Sequence, residues 1–225
     1  MDGNTLREAR RAHKWTQAEL AQRVGVSQTY VSLLESGQRE VPRQLVSRFV
    51  ATLGLSPTNV PVTNQASSLA PESVSRALGS LGYPGFAHLK RTRRVNPAEL
   101  LFRALSNASL EARLVEALPW VLVRFPELDW DWLVTRVKLN DLQNRLGFVV
   151  TLGRELATRQ SDARAVKVLS AWEQRLGESR LAKEDAFGNE TLTEAERRWL
   201  KTHRSPEAAL WNLLSNTSVE ALTSA

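Results

Sequence analysis

Apolar residues recur along this chain at intervals of three and four and never in sustained alternation, so helices are predicted throughout and strands nowhere. The clearest stretch is 16–37, TQAELAQRVGVSQTYVSLLESG. Leu20, Ala21 and Val24 share one helical face. Thr16 can cap that helix, with Glu19 three residues on as its reciprocal partner. Gly25 supplies the left-handed residue that ends the helix, and Val26 plugs the corner. Ser27 then caps a second helix with Val31, Leu34 and the flank of Tyr30 inward, and Gly37 stops it. A turn this short makes the two helices cross steeply, leaving the second free to enter a DNA major groove. Asn4 or Thr5 can start a helix upstream carrying Leu6 and Ala9. Downstream, Pro42 to Leu53 reads as a closing helix with Leu45, Phe49, Val50 and Leu53 inward.

From Asn96 the pattern is helical again. Asn96-Pro97-Ala98-Glu99 is a cap followed by a first-turn proline and a glutamate. Ser109 opens a stripe of Leu110, Leu114, Leu118, Val121 and Leu122, ended by Pro126. Asp129 caps Trp130, Leu133, Val134 and Val137. Leu142, Leu146, Val149, Val150 and Leu156 follow, in a helix where Gly147 and Gly153 each cost about 1 kcal/mol against alanine. Ala165, Val168, Leu169 and Trp172 mark the next. Thr193 with Glu196, and Ser205-Pro206-Glu207, start two more, bearing Trp199-Leu200 and Leu210, Leu213 and Leu214. Successive helices of similar length could stack as a short solenoid.

These patterns divide the chain into residues 1–55, a linker over 56–95, and an all-helical domain over 96–225. The linker begins with two prolines and no charge over 56–70, carries a short helix from Pro71 (Val74, Leu78, Leu81), and ends in the basic run LKRTRR, 89–94. Residues 178–192 read as a polar connector. Charge sharpens the division. Of the net +6, residues 1–55 hold eight Lys/Arg against five Asp/Glu, and 56–100 hold five against two. Residues 101–225 balance at seventeen each. The excess therefore lies where a polyanion would need it. The chain has no cysteine, which excludes disulfides, thiolate zinc sites and cysteine nucleophiles and suits a reducing cytoplasm. No run reaches the roughly 18–20 apolar residues of a membrane span, and the start, MDGNTLREAR, lacks the apolar core of a signal peptide.

Over roughly residues 4–55 the chain resembles the helix-turn-helix of the Cro/C1-type (XRE) family. Gln17, Leu20, Ala21, Gly25, Val26, Ser27, Ser32, Leu34, Glu35 and Gly37 carry the resemblance, followed by Val41-Pro42. It implies an all-α, five-helix-type domain whose second motif helix reads double-stranded DNA. Gln28, Thr29, Ser32 and Leu33 are then the candidates for base contact. A glutamine can bond adenine twice, and a threonine methyl or a leucine can touch a thymine methyl. Their other reading is as solvated helix residues. The family's glutamine at the position of Gln17 holds a phosphate at a helix N-terminus, so Gln17 takes that role. Tyr30, Arg39 and Arg43 are further phosphate candidates, each with a bland alternative as an exposed side chain. Arg10 and Glu35 stand where the family often carries a structural ion pair. Trp15 reads as a staple between the first two helices.

Catalytic chemistry finds no constellation. His13, His88 and His203 are scattered, Asp129 and Asp131 point to different sides of a helix start, and no glycine-rich phosphate loop or GxSxG occurs. No enzyme, cofactor or metal is expected. Six of the seven tryptophans lie beyond residue 100. Trp120 and Trp130 read as core and Trp132 as an interface candidate. The block PWVLVRFPELDWDWLVTRVKLNDLQNRLGFVV vaguely resembles C-terminal domains of helix-turn-helix proteins encoded beside nucleotidyltransferase-type toxins. Two functions follow as expectations. One is a repressor acting as a homodimer on a palindromic operator. The other is an antitoxin that neutralises a protein toxin through 96–225 and autoregulates its operon.

Overall fold

Side-chain caps at Asp2, Thr16, Ser27, Asp129, Asp162, Thr193 and Ser205 start seven of the helices, and left-handed Gly25 and Gly82 end two. The computed structural model describes residues 1–63, 68–89, 95–188 and 192–222. Its chain forms two units. The first comprises residues 1–63 with the short stretch ending at Asn96, and the second takes in the residues between and everything from Pro97 onward. Among the described residues the regular elements are helical, with one isolated bridge between Asp185 and Leu213. None of these helices is long and apolar enough to cross a membrane.

In the first unit, α1 (Gly3–Ala12), α2 (Gln17–Val24), α3 (Gln28–Glu35) and α4 (Arg43–Thr52) are followed by a 3-10 turn, Pro57–Asn59, as the fifth element. Leu6, Leu20, Ala21, Val24, Val31, Leu34, Phe49 and Leu53 form the core, with Trp15, Val26, Tyr30 and Leu45 packed at its rim. Two expectations shift. The first helix starts at Gly3, capped by Asp2, whose carboxylate accepts from Thr5 N at 2.7 Å. Gly3 itself is required by a close approach, since a Cβ there would collide with the Leu34 carbonyl of α3. On α4, Val46 takes the buried position and Leu45 is half-buried. Asn96 donates to Thr58 O and Val60 O at 3.1 and 2.6 Å, which ties it to the first unit.

The second unit is built around one helix. Its elements are α5 (Pro71–Leu81), α6 (Pro97–Leu105), α7 (Ala112–Arg124), α8 (Trp130–Lys138), α9 (Gln143–Arg159), α10 (Ala163–Gly177), α11 (Glu194–His203), α12 (Pro206–Leu210) and α13 (Val219–Leu222). Helix α9 is buried on nearly every side and packs against α7, α8, α10, α12 and α13. A central helix with five neighbours is not a solenoid, in which each repeat touches only the next. Helix α5 buries Val74, Leu78 and Leu81 against α6 and α7, so the segment expected as a linker contributes to this core.

The glycines of α9 have packing roles. Trp211, 1% exposed, lies flat against Gly147, where any Cβ would enter its ring. Gly153 faces Pro119 of α7. Trp211 sits between leucines expected on one helix face. Leu213 and Leu214 are buried just beyond α12, whereas Leu210 is 45% exposed. Segment 178–188 is also more than a connector. Arg145 reaches from α9 to grip Asp185 with two hydrogen bonds of 2.6 and 2.8 Å and donates to the carbonyls of Leu105 and Asn107. Asn144 pairs with both backbone groups of Leu181. Trp130 is buried and stacked on Trp172, and Trp120 is half-buried, edge-on to Tyr83. Trp132, half-buried, meets Phe102 edge-on.

Candidate nucleic-acid interface

The motif helices are set by local chemistry. Thr16 and Glu19 form the reciprocal capping box at the start of α2. Gly25, at φ +78°, ends α2 in the left-handed region and bonds its N–H to Ala21 O. Ser27 accepts from Tyr30 N to cap α3 two residues later. The turn is therefore specified at both ends, and α3 can leave α2 only at a steep angle.

The outward side of α3 carries the sequence candidates. Gln28 and Thr29 are exposed in its first turn, and Tyr30, Ser32 and Leu33 are half-buried beside them. Gln28 and Gln17 meet: Gln28 Nε2 donates to Gln17 Oε1 at 3.5 Å, the limit of a hydrogen bond. Arg39 follows the end of α3. Its N–H bonds Leu33 O at 3.1 Å, and its guanidinium lies over the Tyr30 ring at 5.8 Å. Arg43 is exposed in the first turn of α4. The structure thus joins Gln17 to Gln28 and Tyr30 to Arg39. The basic run lies outside the described residues from Lys90 to Arg94.

Beneath this surface is a buried ion pair. Arg10 donates to Glu35 through Nε at 2.6 Å and Nη2 at 2.8 Å, and the Glu35 side chain is 1% exposed. Gln17 Nε2 donates to the same carboxylate at 3.0 Å. Arg10 also holds Trp15 O at 2.6 Å, and Arg7 holds the backbone carbonyl of Glu35 at 2.8 Å. Burial pushes the Glu35 carboxyl upward, but the hydrogen bonds from Arg10 and Gln17 and the charges of Arg10 and Arg7 outweigh it and leave it below the ordinary glutamate range. The hydrogen bond to Glu35 in turn raises Arg10. A continuous polar path therefore runs from Arg10 through Glu35 and Gln17 to Gln28, from the interior to the exposed turn.

Arg7 had no clear signal in the sequence. Arg7 joins the Glu35 cluster because it lies one turn before Arg10 on the same face. Trp15 is clasped between His13, stacked at 4.4 Å, and Arg23, whose guanidinium is 4.2 Å from its ring. Trp15 packs the end of α1 against α2, whereas Arg7 ties α1 to the end of α3.

Comparison with known proteins agrees with this geometry. Residues 3–61 match the family model described as a helix-turn-helix domain, which covers about a quarter of the chain. No curated protein and no solved structure matches. The capped helices α2 and α3, their glycine turn and the family match together make residues 3–61 a helix-turn-helix domain of the Cro/C1 type.

Proposed function

We propose that this protein is a sequence-specific DNA-binding transcriptional regulator, a repressor that acts as a homodimer on a palindromic operator and has no enzymatic role. The observation that carries the proposal is the first turn of α3, where Gln28 and Thr29 stand exposed beside a Gln17 tied to a buried ion pair. Gln28 and Thr29 read bases, with Ser32 and Leu33 contributing deeper in the groove. Gln17, Tyr30, Arg39 and Arg43 take phosphates, which fix register without reading sequence. Two copies on a two-fold axis would set half-sites about 34 Å apart, one turn of B-DNA. Sequencing the genomic fragments that the protein retains tests this directly. A two-fold-symmetric site near a promoter supports it, and retention without sequence preference overturns it.

A second reading is favoured by the surface of the second unit. Helix α11 buries none of its residues, and Trp199 on it is 51% exposed. Exposed tryptophan is a common anchor of protein interfaces. That feature suits an antitoxin, whose DNA binding would be autoregulation. A toxin gene beside the operator, or a second protein that co-purifies in fixed ratio, distinguishes this reading from the first.

A further inference from the structure

Helix α12 is short, yet it delivers Trp211 to the centre of the second unit. Its seat is a row of positions four apart on α9: Gly147, Thr151 and Glu155. Trp211 lies on Gly147, and its Nε1 donates to Thr151 Oγ1 at 2.8 Å. Thr151 donates onward to Glu173 of α10 at 2.7 Å, and Arg154 Nε holds the other Glu173 oxygen at 2.5 Å. One turn further along, Glu155 faces Glu207 of α12, four residues before Trp211, within hydrogen-bonding reach.

Two ionised carboxylates cannot hold this contact, since neither carries a donor. Glu207 Oε2 is buried and has no hydrogen-bond partner. An orphaned buried acceptor beside a second carboxyl has a direct solution, a proton between them. We propose that Glu155 and Glu207 share one proton, and that this proton seats α12 on α9. The Glu155 O–H donates to Glu207 Oε2.

The surrounding charges agree with Glu155 as the holder. Burial raises its pKa first, followed by the charge of Glu207 and the hydrogen bond with it. Arg154, 3.5 Å away on α9, lowers it, and Glu173 of α10 raises it. Arg159, the next turn of α9, is engaged with Glu220 of α13. On α7, Glu116 acts on Tyr83, Arg113 pairs with Glu111 and Arg124 lies over Phe125. On α8, Arg136 lies over Trp132.

The sign follows from linkage. A carboxyl raised in the folded state binds its proton more tightly there, so the seating is complete at low pH and is lost as pH rises through the raised value. Only Arg204 and the cap Ser205 separate α11 from α12. Loosening α12 therefore also loosens the helix that displays Trp199.

Carboxyl-carbon NMR on the intact chain tests the shared proton. Glu155 is expected to titrate above the free glutamate value of about 4.3, and Glu207→Gln to bring it back down. Titration of Glu155 at or below the free glutamate value would overturn the proposal. The seating is read as hydrogen-exchange protection of α12 amides, corrected for intrinsic rates, from about pH 5 to about pH 9. Protection should fall with pH in the native chain and stay level in Glu155→Gln, whose amide donates without titrating. The same pH slope in both chains would also overturn it. Should that variant fail to fold, the carboxyl titration of the native chain decides alone.

Discussion

Replacing Glu35 with alanine tests whether the polar interior of the DNA-binding unit holds its motif in place. The native carboxylate accepts three side-chain hydrogen bonds, two from Arg10 and one from Gln17, at 2.6, 2.8 and 3.0 Å. Alanine removes both acceptor oxygens and with them all three bonds. Arg10, whose side chain is 11% exposed, would keep only Trp15 O. Removing one partner of a buried pair costs about 3–5 kcal/mol, against about 0–1 kcal/mol for an exposed pair. Near 1% exposure for Glu35 places this pair in the first class. The assay is amide hydrogen exchange on the intact chain, read on α1 and α3. At about 1.4 kcal/mol per factor of ten, exchange there should accelerate roughly a hundredfold or more, with α9 amides unchanged. The double replacement Arg10→Met with Glu35→Leu should recover most of the loss, because apolar side chains of similar volume remove the orphaned charge. Acceleration below about tenfold in Glu35→Ala would mean that the pair behaves as an exposed one, and the reasoning from burial would fail.

Three further outcomes follow from the same structure. Acidification should destabilise the first unit: with the Glu35 carboxyl held below the usual range, its stabilisation is complete above the unfolded value of about 4.3 and is lost as pH falls through the lowered one, so α1 and α3 should lose exchange protection in acid and Glu35→Ala should lack that step. Gln28→Ala with Thr29→Ala should cost on the order of 2–5 kcal/mol of operator binding while leaving non-specific binding nearly intact, as measured by titration against operator and scrambled duplexes; equal loss on both would refute base reading. Gly147→Ala should destabilise the second unit by about 1–3 kcal/mol or more in urea unfolding, since the new Cβ displaces the Trp211 ring, and an unchanged midpoint would show that α12 is not seated as described.

Local chemistry made the first unit legible. Thr16 with Glu19, Gly25 and Ser27 act within a few residues of themselves, so their roles can be read from spacing, and the helices begin and end accordingly. The need for glycine at position 3 was less legible, because it is set by a carbonyl of α3 more than thirty residues away. The second unit shows the same divide more strongly. Its helices follow from periodicity and caps, including Asp129 and the Thr193–Glu196 box. Its arrangement around α9 does not, because an apolar stripe says which face turns inward and not which helix it meets. Gly147 is the instructive residue. Read locally it weakens a helix; in the fold it is the only side chain small enough to receive Trp211.

The same limit explains the buried arginines. A stripe of leucines and valines fixes the rotation of a helix about its axis but tolerates sliding along it, because one apolar contact replaces another at little cost. A bidentate guanidinium–carboxylate contact does not slide, since a shift of one residue breaks two hydrogen bonds and leaves both charges orphaned. Arg10 on Glu35 sets α1 against the end of α3, the helix that carries the base-reading turn. Arg145 on Asp185 holds segment 178–188 beside α9, and Asp185 in turn bonds Asn212 and Leu214, the residues flanking the end of α12. In each unit the apolar residues supply the core, and one buried arginine sets the register of the segment on which its function is proposed to rest. Arg10 is legible only through the family resemblance, and Arg145 not at all, because a charge at a helical position reads as a solvated face until its partner is known.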